Sequence, residues 1–126
     1  MGSVMKLLYF SDKKKMGHNM VMVKEENQNG EWSSYELKHI VRHSPDGFQM
    51  SYNGSGPADL ALSILTHFCE KKNIEKSIVE SLYQQFKEDF IAVAKNNLMI
   101  KCIDIANWLI KKDEKMKSKL FKEING

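Results

Sequence analysis

The segment Gly54-Ser55-Gly56-Pro57, followed by Asp59, comes nearest to a ligand site in residue type and spacing. Glycines let backbone approach a ligand closely, a serine hydroxyl bonds anions, and free N–H groups at a helix start attract negative charge. A loop of this kind could seat the phosphate of a nucleotide, with Tyr52 on the preceding segment as a further contact. A Walker phosphate loop, however, keeps a lysine and a Ser/Thr after its glycines, and here Pro57 and Asp59 follow instead. The same residues also meet the demands of a strand-to-helix corner. Ser55 can cap, and Pro57 suits the first helical position. With Gly56 as N-cap, Asp59 falls at the third helical position, where a carboxylate complements the helix dipole. The corner is the favoured reading; Gly54, Ser55, Gly56, Asp59 and Tyr52 are the residues of the nucleotide alternative.

Other chemistry is sparse. Of the histidines His18, His39, His43 and His67, only His39 and His43 stand four apart, and no third ligand accompanies them, so no metal is expected. Ser55, His43 and Asp59 supply the residue types of a hydrolytic triad, but Gly54-Ser55-Gly56 lacks the Gly-x-Ser-x-Gly spacing of a nucleophile elbow. No catalytic residue and no cofactor is assigned. Cys69 and Cys102 are far apart and form no Cys-x-x-Cys pair, which reads as two core residues of a protein kept in a reducing, cytoplasmic setting.

The formal net charge is +3, and its distribution is informative. Lys111, Lys112, Lys115, Lys117, Lys119 and Lys122 outweigh Asp113, Glu114 and Glu123, so the sequence before Lys111 is balanced. A strongly basic nucleic-acid surface is thereby excluded from the body of the domain. The lysines at 111, 112, 115, 117 and 119 form the candidate partner-binding surface, for a protein or for nucleic acid. No apolar run approaches the roughly 20 residues that cross a bilayer, and no membrane partner is expected. Residues 1–4 read as an expression scar, 5–126 as a single domain and 111–126 as the basic end of its last helix.

These residues must be positioned by a mixed set of elements. Lys6 to Phe10 and Met20 to Lys24 read as strands, with Val21 and Val23 on one face of the second and Met20 and Met22 on the other. Asn27-Gln28-Asn29-Gly30 is a hairpin turn leading to a returning strand, Trp32 to Arg42. After a turn at His43 to Gly47, Phe48 to Tyr52 alternates as a further strand. The period then becomes helical. Leu60, Ala61, Ile64, Leu65 and Phe68 form one stripe that closes at Lys71-Lys72-Asn73. A longer helix over residues 74–96 carries Ile78, Leu82, Phe86, Phe90 and Val93. Leu98 to Cys102 reads as a last strand, and Asp104 as the cap of a helix bearing Ile105, Trp108, Leu109, Met116 and Leu120. Strands first and helices later imply an α+β fold, a small mainly antiparallel sheet with about three helices packed on one face.

The run Gly47-Phe48-Gln49-Met50-Ser51-Tyr52-Asn53-Gly54-Ser55-Gly56-Pro57-Ala58-Asp59-Leu60-Ala61-Leu62, with His43-Ser44-Pro45 upstream, resembles a family signature. The family comprises small uncharacterised proteins of bacteria, phages and plasmids with the pattern Gly-Phe-Glu-Trp-Gly-Tyr-Gly-Gly-Ser-Gly-Pro-Ala-Asp-Leu-Ala-Leu. The chain departs from it at Gln49, Met50, Ser51 and Asn53. The resemblance implies a mobile-element protein without an assigned activity. The leading expectation is a non-enzymatic binding protein that occupies a host protein, such as a CRISPR effector or another component of bacterial immunity. A nucleotide-sequestering protein is the alternative, and nucleic-acid binding through the basic helix a weaker one.

Overall fold

The computed structural model describes residues 6–12, 20–43, 54–94 and 97–120. Their elements follow in the order β1 (Lys6–Asp12), β2 (Met22–Glu26), β3 (Trp32–Glu36), α1 (Ser55–Lys71), α2 (Lys76–Phe86), a π-helical turn (Lys87–Ile91), β4 (Asn97–Lys101), α3 (Cys102–Lys112) and α4 (Met116–Lys119). The strands form one antiparallel sheet in the order β3-β2-β1-β4. The fold is α+β, as the order of strands and helices implies. The strand expected at Phe48 to Tyr52 lies outside the described residues, as does Tyr52.

Register follows from the hairpin. Gly30 has φ +79°, the left-handed geometry that glycine tolerates best, and Asn27 Oδ1 accepts from the N–H groups of Asn29 (2.8 Å) and Glu31 (3.0 Å). This turn sets Val23 opposite Tyr35 and, across β1, Tyr9 between Val23 and Ile100. That row faces the helices, and all of it but Tyr35 is fully buried. β3 ends at Glu36, short of the expected Arg42. Leu37 N–H still donates to Val21 O (2.8 Å), but beyond it the chain leaves the ladder for acceptors on α1.

α1 is the central helix: every residue from Gly56 to Thr66 is buried, including the expected stripe. Its C-terminus closes with Asn73 at φ +57°, Ile74 N–H donating to Cys69 O (2.8 Å), and Ile74 buried beneath the turn. Its N-cap is Gly54 rather than Gly56, so Pro57 occupies the third helical position, still within the turn whose N–H groups lack helical partners.

The helix expected over 74–96 is regular only to Phe86. A π turn follows, with Ala92 N–H donating to Lys87 O (2.9 Å), five residues back. One inserted residue rotates the apolar stripe by about a quarter turn. Ile91 therefore enters the core and Val93, expected inside, is 65% exposed. Asp104 is likewise not the cap of α3. Lys101 is, and the Asp104 carboxylate accepts from the Lys101 N–H (3.3 Å), the reciprocal half of a capping box.

Candidate functional site

The polar side chains of α1 organise the site. In a helix buried almost all round, Asp59, Ser63, His67 and Lys71 recur every four residues and so form one gently winding stripe. Residues 25–43 lie along that stripe in the opposite direction. Asp59, fully buried, accepts from the N–H groups of Arg42 (3.2 Å) and His43 (2.8 Å) and from His39 Nε2–H (3.0 Å). Ser63 Oγ accepts from Ile40 N–H (2.9 Å). His67 lies between Tyr35 and Tyr9, and Lys71 pairs with Glu25 (3.3 Å). We call this arrangement the polar seam.

The seam revises the reading of the Gly54-Pro57 corner. Gly54 is half-buried, Ser55 exposed and Gly56 buried. Asp59 sits at the fifth helical position, too deep to cap, and its oxygens are turned to the departing strand. Its task is to satisfy backbone donors that left the sheet ladder at Leu37. From the other side, Arg42 forks onto Glu80 of α2 (2.7 and 3.0 Å), and His43 Nε2 lies 2.8 Å from Tyr83 Oη. The triad members His43 and Asp59 are thus joined through the His43 backbone, while the imidazole that meets the carboxylate belongs to His39.

The middle of the seam is a hydrogen-bonded relay that sequence reasoning missed. Tyr9 Oη lies 2.7 Å from His67 Nδ1, Tyr35 Oη lies 2.6 Å from His67 Nε2, and Tyr35 Oη–H donates to Glu25 Oε1 (2.7 Å). Burial drives the Tyr9 phenol well above its ordinary range, and burial together with the Glu25 carboxylate does the same to Tyr35. Burial and the nearby Lys71 ammonium push His67 down, which keeps the imidazole neutral. Burial also raises Glu25, but the bonds from Tyr35 and Lys71 outweigh it and hold the carboxyl below its usual value. Nearby Cys69 is pushed up to about 12 by burial. These shifts disarm nucleophiles instead of activating them. With Tyr9 fully buried, the arrangement serves to bind sheet to helix. The signal for it was present in the period-four polar residues of a helix whose other positions are mostly apolar, and in tyrosines on an inward strand face, whose hydroxyls need partners.

The basic residues occupy two elements, not one helix. α3 ends at Lys112, the chain turns at Asp113, and α4 folds back to bury Met116 while Leu120 follows it into the core. Lys111, Lys115, Lys117 and Lys119 are exposed around this bend, where Lys115 and Lys117 join Glu114 and Ser118 along an open depression. Lys112 is drawn back over the Trp108 ring (5.4 Å), whose indole N–H donates to Asp89 (2.7 Å).

A different surface shows the sharpest departure from ordinary patterning. A sheet covered on one side normally alternates apolar inward with polar outward. β1 is apolar on both sides. Phe10 lies between Met22 and Met99 on the outer face and Leu8 between Lys24 and Lys101, with Trp32 beyond them. Met99 is 66% and Trp32 49% exposed, the latter with Lys24 Nζ over its ring (4.9 Å). Leu8, Phe10 and Met22 are half-buried, and the described helices pack on the opposite face.

Among the described residues, no group of three His, Cys, Asp or Glu side chains could hold a metal ion, and no helix is long and apolar enough to cross a membrane. The architecture defines a small α+β protein with a buried polar seam and an apolar outer sheet face. The chain belongs to the Family of unknown function (DUF6166), whose model matches residues 9–111. No curated protein and no solved structure matches it.

Proposed function

We propose that this chain is a non-enzymatic binding protein that docks a host protein on the outer face of its sheet. The observation that carries the reading is the row Met22, Phe10 and Met99, with Leu8 beside it, on the outer face of β2, β1 and β4, and Trp32 on β3 beyond Lys24 and Glu26. Burying outward apolar residues on a central strand contributes nothing to this fold's own core. Exposed apolar bands mark interaction sites, and Trp, Phe and Met are the residues enriched at interface centres. Lys6, Lys24 and Lys101 give the band a partly charged margin, as protein interfaces have. The resemblance at Gly47 to Leu62 supports a finer reading, in which a phage or related mobile element carries the protein and the host target is a component of bacterial immunity such as a CRISPR effector.

The experiment expresses the tagged chain, Met99→Lys and Trp32→Ala in a phage-susceptible, defence-proficient bacterium. The wild type should co-purify with one defence component and raise phage plating. Each variant should lose both effects while keeping its unfolding midpoint. Wild type that neither binds a host protein nor alters plating, or variants as competent as wild type, would overturn the proposal.

A further inference from the structure

The direction of every hydrogen bond in the relay can be worked out from its fixed end. The Glu25 carboxylate only accepts, so the single Tyr35 hydroxyl proton is committed to it at 2.7 Å. Tyr35 Oη must then accept from His67, which places a proton on Nε2 across the 2.6 Å contact. A neutral imidazole with its proton on Nε2 leaves Nδ1 as an acceptor, and Tyr9 Oη–H donates to it at 2.7 Å. One tautomer of one protonation state satisfies all these groups.

A second proton on Nδ1 would confront the Tyr9 hydroxyl proton. Tyr9 could turn and accept, but its own proton would then need another acceptor in a place with no exposed surface. The remaining ionisable groups around the imidazole do not offset this. Lys71 on α1 opposes a positive charge, Glu70 on α1 and Glu25 on β2 favour one, and Cys69 and Cys102 lie near Tyr9. The net balance is against the charged form. His67 is itself only part-buried, so a charged ring reaches water by swinging outward and gives up both tyrosines. Tyr35 is the relay's hold on β3, an edge strand whose other residues are all exposed.

We infer that Tyr9, His67 and Tyr35 form a proton-sensitive latch: the neutral Nε2–H imidazole closes the β2–β3 hairpin onto α1, and protonation opens it. The sign follows from linkage. A histidine held below its free value in the closed form takes up its proton more readily when open, so closure is strongest above about pH 6.5 and weakens as pH falls.

The test is amide hydrogen exchange by NMR on the full chain between pH 7.5 and 5.5, corrected for intrinsic exchange. Protection of the Val23 and Tyr35 amides should fall by up to about tenfold per pH unit below about 6.5. His67→Gln, which can donate to Tyr35 and accept from Tyr9 without titrating, should keep protection flat with pH. His67→Ala should be weakly protected throughout, and Tyr9→Phe should flatten the dependence by removing the stranded proton. Nitrogen-15 spectra of the wild type should show the Nε2–H tautomer and a His67 titration below that of a free histidine. An Nδ1–H tautomer at neutral pH, or a pH dependence unchanged in His67→Gln or Tyr9→Phe, would overturn the latch. If His67→Gln fails to fold, Tyr9→Phe and the wild-type spectra still decide.

Discussion

Replacing Asp59 with alanine tests the seam where it is most deeply buried. The substitution strips the acceptor from the Arg42 and His43 N–H groups and from the His39 imidazole at once. Each buried donor left unpaired costs about 1–3 kcal/mol, so the two backbone N–H groups alone account for about 2–6 kcal/mol. We expect Asp59→Ala to lose about 4 kcal/mol, a large share of the roughly 5–15 kcal/mol that a domain of this size has. With a urea slope of about 1.5 kcal/mol/M, the midpoint should fall by about 2.5 M. Asp59→Asn, which retains one acceptor oxygen, should lose about half as much. Arg42→Ala is the contrast: it removes a solvent-exposed fork to Glu80 and a guanidinium over the Tyr83 ring (5.6 Å) but leaves the Arg42 N–H on Asp59, so its midpoint should stay within about 0.5 M of wild type. Equilibrium urea unfolding followed by circular dichroism reads all of these. An Asp59→Ala midpoint within about 0.3 M of wild type would refute the reasoning, because the strap at residues 39–43 would then not depend on its carboxylate.

Two further outcomes follow from particular residues. Ile91→Ala should cost about 2–5 kcal/mol by opening a cavity, whereas Val93→Ala should leave stability unchanged; equal effects would mean that the π turn does not shift the apolar stripe. Glu25, held below its ordinary value when folded, contributes stability that is present above about pH 4.5 and lost as pH drops through the folded value, so urea midpoints measured from pH 6 to 3 should fall less steeply for Glu25→Gln than for wild type.

The sequence was most legible where information is local. Asn27-Gly30, Asn73 and the stripe Leu60 to Phe68 each announce their geometry within a few residues, and each takes that geometry in the structure. The failures have two physical origins. Period was broken by a single inserted residue at Lys87–Ile91, which no spacing count anticipates. Long-range polar partners also decided where elements end. β3 stops at Glu36 because Asp59 and Ser63, about 20 residues away, offer acceptors that compete with the ladder. The relay joins Tyr9 to His67 across 58 residues, a pairing the topology creates and the sequence only permits.

The seam also changes where function should be sought. Residue types that ordinarily signal recognition, a glycine-rich loop with a following aspartate and scattered histidines and tyrosines, are largely consumed in closing residues 25–43 onto α1. Their chemistry is spent inward: the carboxylate already holds three donors, the phenols are kept protonated and the imidazole at the centre is kept neutral. The apolar residues tell the reverse story. Leu8, Phe10, Met22, Trp32 and Met99 stand outside a sheet whose other face already holds the core, and no interaction within the described fold accounts for their being apolar. A surface that local stability does not require is where a partner should be sought, and in this fold it is the back of β1.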